Sequence, residues 1–345
     1  MSLSTLDSDQ LADSETRERP GWRRWLVVFC ATFFGLGALL YISVLAVDPY
    51  DTGRFPNLGI VGIDDINPRT ANASRGRDLR FNASIIGDST GQNIDPYKLS
   101  DGTGLRFLQL TIPQTGPREQ LAMMRWIMSN HHSYGAFVLV VDTFWCSPDP
   151  KLPLMFPFPF WLYRGDLEYL ANVLSSKSLD RVGWRIRVAL GLKPPSDMVR
   201  FSGYMAGEKL PFAPEPPVPP GTLDKIGSPP SFPWINQLES FIRELPRPTG
   251  VVIVMPPVYY KFLPLPGSKE AAGLEACKSA LARAVGGRPL SGFLDFRVDN
   301  PATRNVAGWI DNVHYRVALA SPMEQKIIAV LRNGAGTATA EWNRP

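Results

Sequence analysis

The chain alternates short apolar runs with segments whose apolar residues recur at helical spacing. Five apolar runs predict buried strands, at residues 83–86, 105–112, 136–141, 251–255 and 293–296. Apolar positions three and four residues apart predict helices at 114–130, 234–245, 269–285 and 322–331, with further helical spacing at 166–192. Strands that are apolar throughout are typical of a parallel sheet covered on both faces. The pattern therefore predicts an α/β domain with a doubly wound, five-stranded parallel sheet.

One apolar stretch, residues 25–47, contains no charged residue. A helix of that length, rising about 1.5 Å per residue, can cross a hydrocarbon core of about 30 Å. Arginines are concentrated before the stretch and aspartates after it: Arg17, Arg19, Arg23 and Arg24, then Asp48 and Asp51. The positive-inside rule then predicts a single-pass inner-membrane protein with a cytoplasmic N-terminus and an extracytoplasmic, periplasmic remainder. A signal peptide cleaved after Ala46 is the alternative, and the length of the stretch favours a retained anchor.

The composition divides the chain into four segments. Residues 1–24 predict a disordered cytoplasmic tail, residues 25–47 the transmembrane anchor, residues 48–80 an irregular lead-in, and residues 81–345 one domain. The 33 prolines are roughly twice the average share of about 5%. Five of them lie within residues 148–159 and nine within 211–233, so an insertion is predicted at about 146–233. Its aromatic and proline-rich start fits a lid, a surface resting on the bilayer, or packing against the sheet.

Charge and cysteine content exclude several classes of function. A net charge of +4, with scattered basic residues, does not predict a nucleic-acid surface. Cys30, Cys146 and Cys277 form no C-x-x-C pair, so neither a zinc site nor a disulfide framework is indicated, and pairing of the last two stays open. No cofactor and no metal ion is expected.

The candidate chemistry lies where strands end. The first strand is followed by a Gly-Asp-Ser sequence that ends in Ser89, and a serine there projects toward the ligand-binding edge of a parallel sheet. His131 and His132 precede the third strand and therefore belong to the opposite edge. His314 follows the fifth strand, with Asp311 three residues before it. Ser89, His314 and Asp311 are thus candidates for nucleophile, base and orienting carboxylate.

These residues resemble the SGNH (GDSL-type) hydrolase superfamily. The resemblance rests on Gly87-Asp88-Ser89 after the first strand and on Asp311-x-x-His314 near the C-terminus, and it covers most of residues 80–333 outside the insertion. It implies a flavodoxin-like sheet in which Ser89 is the nucleophile, His314 the base and Asp311 its orienter. It also implies an oxyanion hole formed by the backbone N–H groups of Ser89 and Gly116.

The segment after the third strand departs from the superfamily pattern. The superfamily has Gly-x-Asn-Asp there, and its asparagine donates a hydrogen bond to the oxyanion. This chain has Asp142 near that place and no asparagine. An ionised carboxylate cannot donate a hydrogen bond and would oppose the oxyanion. The departure fits divergent, membrane-anchored members that act in O-acylation of bacterial cell-envelope polymers and exopolysaccharides.

The resemblance implies a membrane-anchored extracytoplasmic serine esterase or O-acyltransferase, with acetyl as the expected acyl group. Its substrate would be an ester of a cell-envelope or exported polysaccharide, and a multi-pass membrane protein would supply the acyl donor. The sequence does not choose between water and a sugar hydroxyl as acceptor. A catalytically inactive SGNH-like subunit that binds glycan or acts as a scaffold in a polysaccharide synthesis complex is the alternative. A lipase acting at the bilayer ranks third.

Overall fold

A computed structural model describes residues 20–55, 67–194, 204, 207–214 and 231–333. The predicted tail, apart from residues 20–24, lies outside the described residues. So do most of the proline-rich stretch at 211–233 and the C-terminal residues 334–345. The insertion is therefore described in three parts, residues 146–194, 207–214 and 231–233, together with Tyr204.

The domain is built on a five-stranded sheet in which every strand pair is parallel. The strands are β1 (Ala83–Ile86), β2 (Phe107–Gln109), β3 (Ala136–Val140), β4 (Gly250–Met255) and β5 (Gly292–Asp295), in the spatial order β2-β1-β3-β4-β5. This is the strand order of flavodoxin-like doubly wound sheets. The predicted α/β class and five-stranded parallel sheet are confirmed. β2 is shorter than the predicted 105–112.

Both faces of the sheet are buried, and alternate residues of one strand enter different cores. Phe137 and Leu139 of β3 belong to one apolar cluster, whereas Ala136, Val138 and Val140 belong to the other. Because successive side chains of a strand point to opposite faces, a continuous apolar run is what a sheet covered on both sides requires. The unbroken runs of the sequence follow from that arrangement.

Helices and short connections surround the sheet, and several bounds differ from the prediction. The helices are α1 (Pro20–Val47), α2 (Pro68–Gly76), α3 (Pro96–Thr103), α4 (Pro117–Asn130), α5 (Phe160–Tyr163), α6 (Asp166–Asn172), α7 (Ser176–Ala189), α8 (Pro233–Glu244), α9 (Lys269–Ala284), α10 (Pro301–Arg304) and α11 (Val317–Asn333). The last helix begins five residues before the predicted start and contains Pro322. That proline lies in the second turn, where it removes a single hydrogen bond of the helix.

The lead-in at 48–80, predicted to be irregular, contains α2. Asn67 caps this helix by accepting a hydrogen bond from the Arg69 N–H, and Pro68 occupies its first position. The helix has few large apolar residues, so no hydrophobic periodicity reveals it. Its small residues instead allow close packing on α4, where Trp126 Nε1 donates to the carbonyl of Ala73 at 2.8 Å.

Helix α1 is the one helix among the described residues that is long and apolar enough to span a membrane. It begins at Pro20, five residues before the predicted anchor. Its last turns are held by the domain, because Val44 and Val47 are buried and Tyr41 Oη donates to the carbonyl of Leu170 at 2.7 Å. The end of α1 is therefore packed against the insertion.

The start of the insertion packs mainly against the sheet side that carries α4 and α8. Phe158, Leu162 and Tyr163 are buried in the same cluster as Phe137, whereas Met155 and Phe156 remain exposed. The sequence leaves open whether this aromatic segment is a lid, a surface resting on the bilayer, or packing against the sheet. Most of the segment packs against the sheet.

A disulfide joins Cys146 and Cys277, which are 131 residues apart in the sequence. The absence of a C-x-x-C pair had indicated no disulfide framework, and the structure corrects this expectation for these two residues. The bond connects the segment after β3 to the middle of α9. Neither the spacing nor the local sequence of the two cysteines indicates their contact, because the fold alone brings them together.

Candidate functional site

Ser89 lies directly beyond the C-terminal end of β1, in a 3₁₀ turn formed by Ser89–Gly91. The turn can begin there because residue 87 is glycine: a Cβ atom at Gly87 would lie 2.7 Å from the carbonyl oxygen of Val140 on the neighbouring strand. Asp88 caps the turn, with Oδ1 accepting from the N–H and the hydroxyl of Thr90. Ser89 itself is half-buried, at the edge of a cleft.

His314 and Asp311 lie in a tight loop after β5 and α10. Trp309 and Tyr315 form an antiparallel bridge across the loop, and the Ile310 N–H donates to the carbonyl of His314 at 2.8 Å. The Oδ1 atom of Asp311 accepts from the backbone N–H groups of Val313 and His314, at 2.9 and 2.7 Å. The aspartate therefore shapes the loop that carries the histidine.

The three predicted residues meet in one hydrogen-bonded chain. His314 Nε2 lies 2.8 Å from Ser89 Oγ, and His314 Nδ1 lies 2.7 Å from Asp311 Oδ2. In this order the serine hydroxyl faces the imidazole nitrogen that can accept its proton, and the carboxylate holds the other ring nitrogen. This is the geometry by which a Ser-His-Asp triad is recognised.

The hydrogen bonds that Asp311 accepts favour the ionised form of its carboxyl group. Partial burial acts to raise the pKa of its carboxyl group, but hydrogen bonds from the His314 side chain and from the backbone N–H groups of Val313 and His314 outweigh burial. The net result is a pKa below the ordinary value for aspartate. An ionised Asp311 favours the tautomer of His314 that carries its proton on Nδ1, so Nε2 is the ring atom that can accept a proton from Ser89.

The cleft beside Ser89 has a volume of about 280 Å³. It is lined by Ser89, Thr90, Gln92, Asn93, Gly207, Leu210, Ile310, Asp311, His314 and Tyr315. Gln92 and Asn93 lie one turn beyond Ser89, and no motif in the sequence identifies them as part of the site. The Asn93 side chain donates to the carbonyl of Tyr315 at 2.8 Å and so connects the Ser89 turn to the His314 loop.

Part of the insertion forms one wall of this cleft. The guanidinium of Arg316 donates to the carbonyls of Gly207, Glu208 and Leu210, which holds that segment next to the His314 loop. The Ala213 N–H also donates to the carbonyl of Ile310 at 3.0 Å. Residues 207–210 of the insertion thus contribute directly to the surface that a bound molecule would meet.

The predicted oxyanion donor Gly116 is engaged elsewhere. Its N–H donates to Oε2 of Glu119 at 3.2 Å, so the Glu119 side chain caps the start of α4. Gly116 lines a separate, small cavity with Leu152 and Met155 and does not line the Ser89 cleft. Burial raises the pKa of Glu119, although the N–H of Gly116 and nearby arginines favour its charged form.

Asp142 begins the turn after β3, where its Oδ1 accepts from the Phe144 N–H at 2.9 Å. A side-chain hydrogen bond joins its carboxyl group to that of Asp88. Burial, together with the adjacent Asp88 charge, raises the pKa of Asp142 well above the ordinary value. Asp142 therefore keeps its proton to higher pH than an isolated aspartate, and its carboxyl group faces Asp88 and does not line the Ser89 cleft.

A buried cation lies among these carboxyl groups. Arg297 follows β5, is 7% exposed, and is attracted by Asp88, Asp142 and Asp295. Burial nevertheless lowers the pKa of its guanidinium below the usual value. Lys278 of α9 completes the group, with Nζ 2.9 Å from Asp295 Oδ2. We call these five residues the buried charge cluster: Asp88, Asp142, Lys278, Asp295 and Arg297.

The other two histidines are remote from this chain of hydrogen bonds. His131 is buried and its Nε2 lies 3.0 Å from the carbonyl of Gly76, whereas His132 is exposed. Burial lowers the pKa of His131. Within the described part of the chain, no three His, Cys, Asp or Glu side chains are grouped as a metal site requires.

Comparison with known proteins assigns no family to the chain. No protein-family model matches the sequence, and a search of curated proteins finds no significant match.

Proposed function

We propose that the chain is a membrane-anchored extracytoplasmic serine esterase or O-acyltransferase with an SGNH hydrolase fold. The expected acyl group is acetyl, and the expected substrate is a cell-envelope or exported polysaccharide, with a multi-pass membrane protein as acyl donor. One observation carries the proposal: the hydrogen-bonded series from Ser89 Oγ through His314 to Asp311, at 2.8 and 2.7 Å. The polysaccharide, the acetyl group and the donor come from the family resemblance.

The proposed reaction has two halves. His314 Nε2 takes the proton of Ser89 Oγ as the oxygen attacks the acyl carbon, and the donor's C–O bond breaks as its alkoxide oxygen receives that proton from His314. In the second half, His314 removes a proton from a sugar hydroxyl or from water. That oxygen attacks the acyl-enzyme, the ester bond to Ser89 breaks, and the proton returns to Ser89.

The Ser89 N–H is the first candidate to donate a hydrogen bond to the oxyanion, because it has no acceptor among the residues that the structure describes. Recruitment of Gly116 would require its N–H to leave the Glu119 carboxylate. The loss of one such donor costs about 10² to 10³ in kcat in other serine hydrolases. The described arrangement therefore favours a slow enzyme that acts on a bound, positioned substrate.

Two features support an extracytoplasmic location. Helix α1 is long and apolar enough to cross a membrane. The Cys146–Cys277 disulfide is typical of oxidising compartments outside the cytoplasm. Both fit the orientation expected from the arginines that precede the apolar stretch.

The engagement of Gly116 by Glu119 favours a second candidate function. With that N–H occupied and no asparagine near Asp142, the domain could bind glycan without forming an acyl-enzyme. In this alternative the chain is an inactive subunit of a polysaccharide synthesis complex.

An acetyl-transfer assay distinguishes these functions. The full chain in detergent is mixed with 4-nitrophenyl acetate, and intact mass spectrometry looks for an added acetyl group that Ser89→Ala abolishes. Ser279→Ala, which changes an exposed serine of α9, is the matched control. Acetylation followed by transfer to an oligosaccharide identifies a transferase, and release to water identifies an esterase. Absence of acetylation together with retained oligosaccharide binding would support the inactive subunit.

A further inference from the structure

The depth of the insertion relative to a membrane can be derived from α1. Residues 25–40 of this helix are exposed, apart from the half-exposed Cys30, and span roughly 24 Å at 1.5 Å per residue. A hydrocarbon core of about 30 Å therefore needs about four further residues, which are residues 41–44. Tyr41 Oη donates to the carbonyl of Leu170, so α6 lies at the level where the apolar span ends.

Helices α6 and α7 present apolar side chains that the protein does not cover. Leu167 of α6 is 83% exposed, and Leu174, two residues after the end of α6, is also exposed. Leu179 and Ile186 of α7 and Leu190, directly after α7, recur at helical spacing and are exposed as well, with Leu190 at 67%. Exposed leucines on helices beside a membrane-spanning segment are typical of segments that lie in the membrane interface.

The segment that leaves α1 fixes α7 in place. Arg185 Nε donates to the carbonyl of Val47 at 2.9 Å, and its guanidinium lies 3.5 Å from Asp51 Oδ1. Tyr50 Oη lies 3.2 Å from Ser178 Oγ. All three contacts are buried, so they fix the position of α7 relative to the end of α1.

A cavity of about 760 Å³ opens between α7, the start of α2 and the aromatic segment of the insertion. Three of its lining residues are cationic, Arg69, Lys177 and Arg181, and one, Asp180, is anionic. Tyr50, Trp161 and Trp184 provide aromatic walls. A net positive cavity with tyrosine and tryptophan at a bilayer surface matches the headgroup region of anionic lipids.

Arg69 is a cationic residue of the cavity whose hydrogen bonds go to a backbone carbonyl. Its Nη2 donates to the carbonyl of Pro113 at 2.8 Å, and its ring contact is with Phe156. Its buried Nε atom has no acceptor among the residues described. Burial lowers the pKa of this guanidinium, although the charge of Glu119 favours its charged form.

We propose that α6 and α7 lie in the membrane interface and that the cavity beside them binds the phosphate headgroup of an anionic phospholipid through Arg69 and Lys177. The exposed leucines contact acyl chains, and the aromatic walls lie at headgroup level. This inference rests on the proposed membrane location of α1 and is independent of the chemistry of Ser89.

The position of α6 and α7 is tested with the full chain in vesicles. Leu167→Cys and Leu190→Cys, each in a Cys30→Ser background, are labelled with a fluorophore and exposed to lipids with a quencher in the acyl chain. Leu265→Cys is the matched control, since that leucine is 78% exposed outside the insertion. Quenching at 167 and 190 but not at 265 supports the proposal, and equal quenching at all three overturns it. Leu36→Cys tests whether α1 lies in the membrane. Absence of quenching at residue 36 would contradict the membrane location of α1.

Headgroup binding is measured by native mass spectrometry of the full chain in nanodiscs that contain phosphatidylcholine with a minor fraction of phosphatidylglycerol. Removal of each basic residue is expected to weaken retention of phosphatidylglycerol about five-fold. The double variant Arg69→Gln with Lys177→Gln should therefore retain this lipid about 25-fold more weakly than wild type. Because Arg69 also supports the fold, Lys177→Gln alone provides the milder test.

The control for charge is Arg125→Gln with Lys326→Gln, which removes two exposed cations outside the cavity. An equal loss in this control would show unspecific attraction to the anionic surface and overturn the proposal. Soluble glycerol phosphate is the remaining probe. Retention of that molecule as strong as retention of the lipid would assign the cavity to free phosphates and also overturn the proposal.

Discussion

His314 Nε2 lies 2.8 Å from Ser89 Oγ, although 225 positions separate the two residues in the sequence. The contact arises because Ser89 follows the first strand of a parallel sheet and His314 follows the last, and the C-terminal ends of parallel strands share one edge. Tyr315 strengthens the connection, since its hydroxyl donates to the carbonyl of Thr90.

Asp311→Asn is expected to reduce ester turnover strongly while the fold is preserved. The asparagine side-chain oxygen can still accept from the N–H groups of Val313 and His314, but the amide no longer fixes the Nδ1–H tautomer. A loss in kcat on the order of 10⁴ is expected, with little change in KM. Steady-state kinetics measure it, and an unchanged kcat would remove Asp311 from the mechanism.

Asp142→Asn is expected to change how stability depends on pH. The folded chain holds the Asp142 proton at pH values where the unfolded chain has released it, because the pKa of Asp142 is raised. The wild-type free energy of unfolding therefore falls as pH rises above about 4 and toward the folded-state pKa. Asparagine has no such proton, so the variant should gain stability relative to wild type as pH rises. Urea unfolding between pH 4 and 8 measures this, and a difference independent of pH would contradict it.

Arg297→Gln is expected to destabilise the fold by about 3 to 5 kcal/mol. The substitution removes the buried cation that attracts Asp88 and Asp142, whereas Asp295 keeps its ion pair with Lys278. Arg304→Gln provides the comparison, because Arg304 pairs with Asp299 on the surface and its loss should have little effect. Chemical denaturation at constant pH reports both variants. Similar stability of the two would show that the buried charge cluster does not support the fold.

Replacing Cys146 and Cys277 by serine is expected to lower the free energy of unfolding by about 2 to 5 kcal/mol. The disulfide closes a loop of 131 residues and connects the segment after β3 to α9. Cys30→Ser, which changes the free cysteine in α1, is the control. Unfolding is measured with and without reductant: wild type should lose stability on reduction and the double variant should not. Insensitivity of wild type to reduction would contradict the prediction.

The sheet and the Ser89–His314–Asp311 series could be predicted from sequence because both depend on order along the chain. Unbroken apolar runs mark strands buried on both faces, and residues that follow such strands share an edge. Helix α2 could not be predicted, because its small and polar residues bury themselves against Trp126 without apolar periodicity.

The buried charge cluster and the position of Gly116 depend on contacts that no local pattern contains. The sequence marks Asp142 only as a departure from a family motif, whereas its proximity to Asp88 and Arg297 requires the ends of β1, β3 and β5 to share one edge of the sheet. Similarly, Gly116 follows the second strand as expected, but the glutamate three residues later takes its N–H. Its Gly-Pro-x-Glu sequence could have indicated a helix cap.

The activation of Ser89 by His314 is tested most directly by covalent labelling. The full chain in detergent is treated with a fluorophosphonate, and intact mass and peptide mapping locate the adduct. A single adduct on Ser89 is predicted, absent in Ser89→Ala, reduced at least tenfold in rate in His314→Ala, and unchanged in Ser279→Ala. Failure of wild type to label under conditions that label a control serine hydrolase, or labelling of Ser89 that His314→Ala leaves unchanged, would contradict the account.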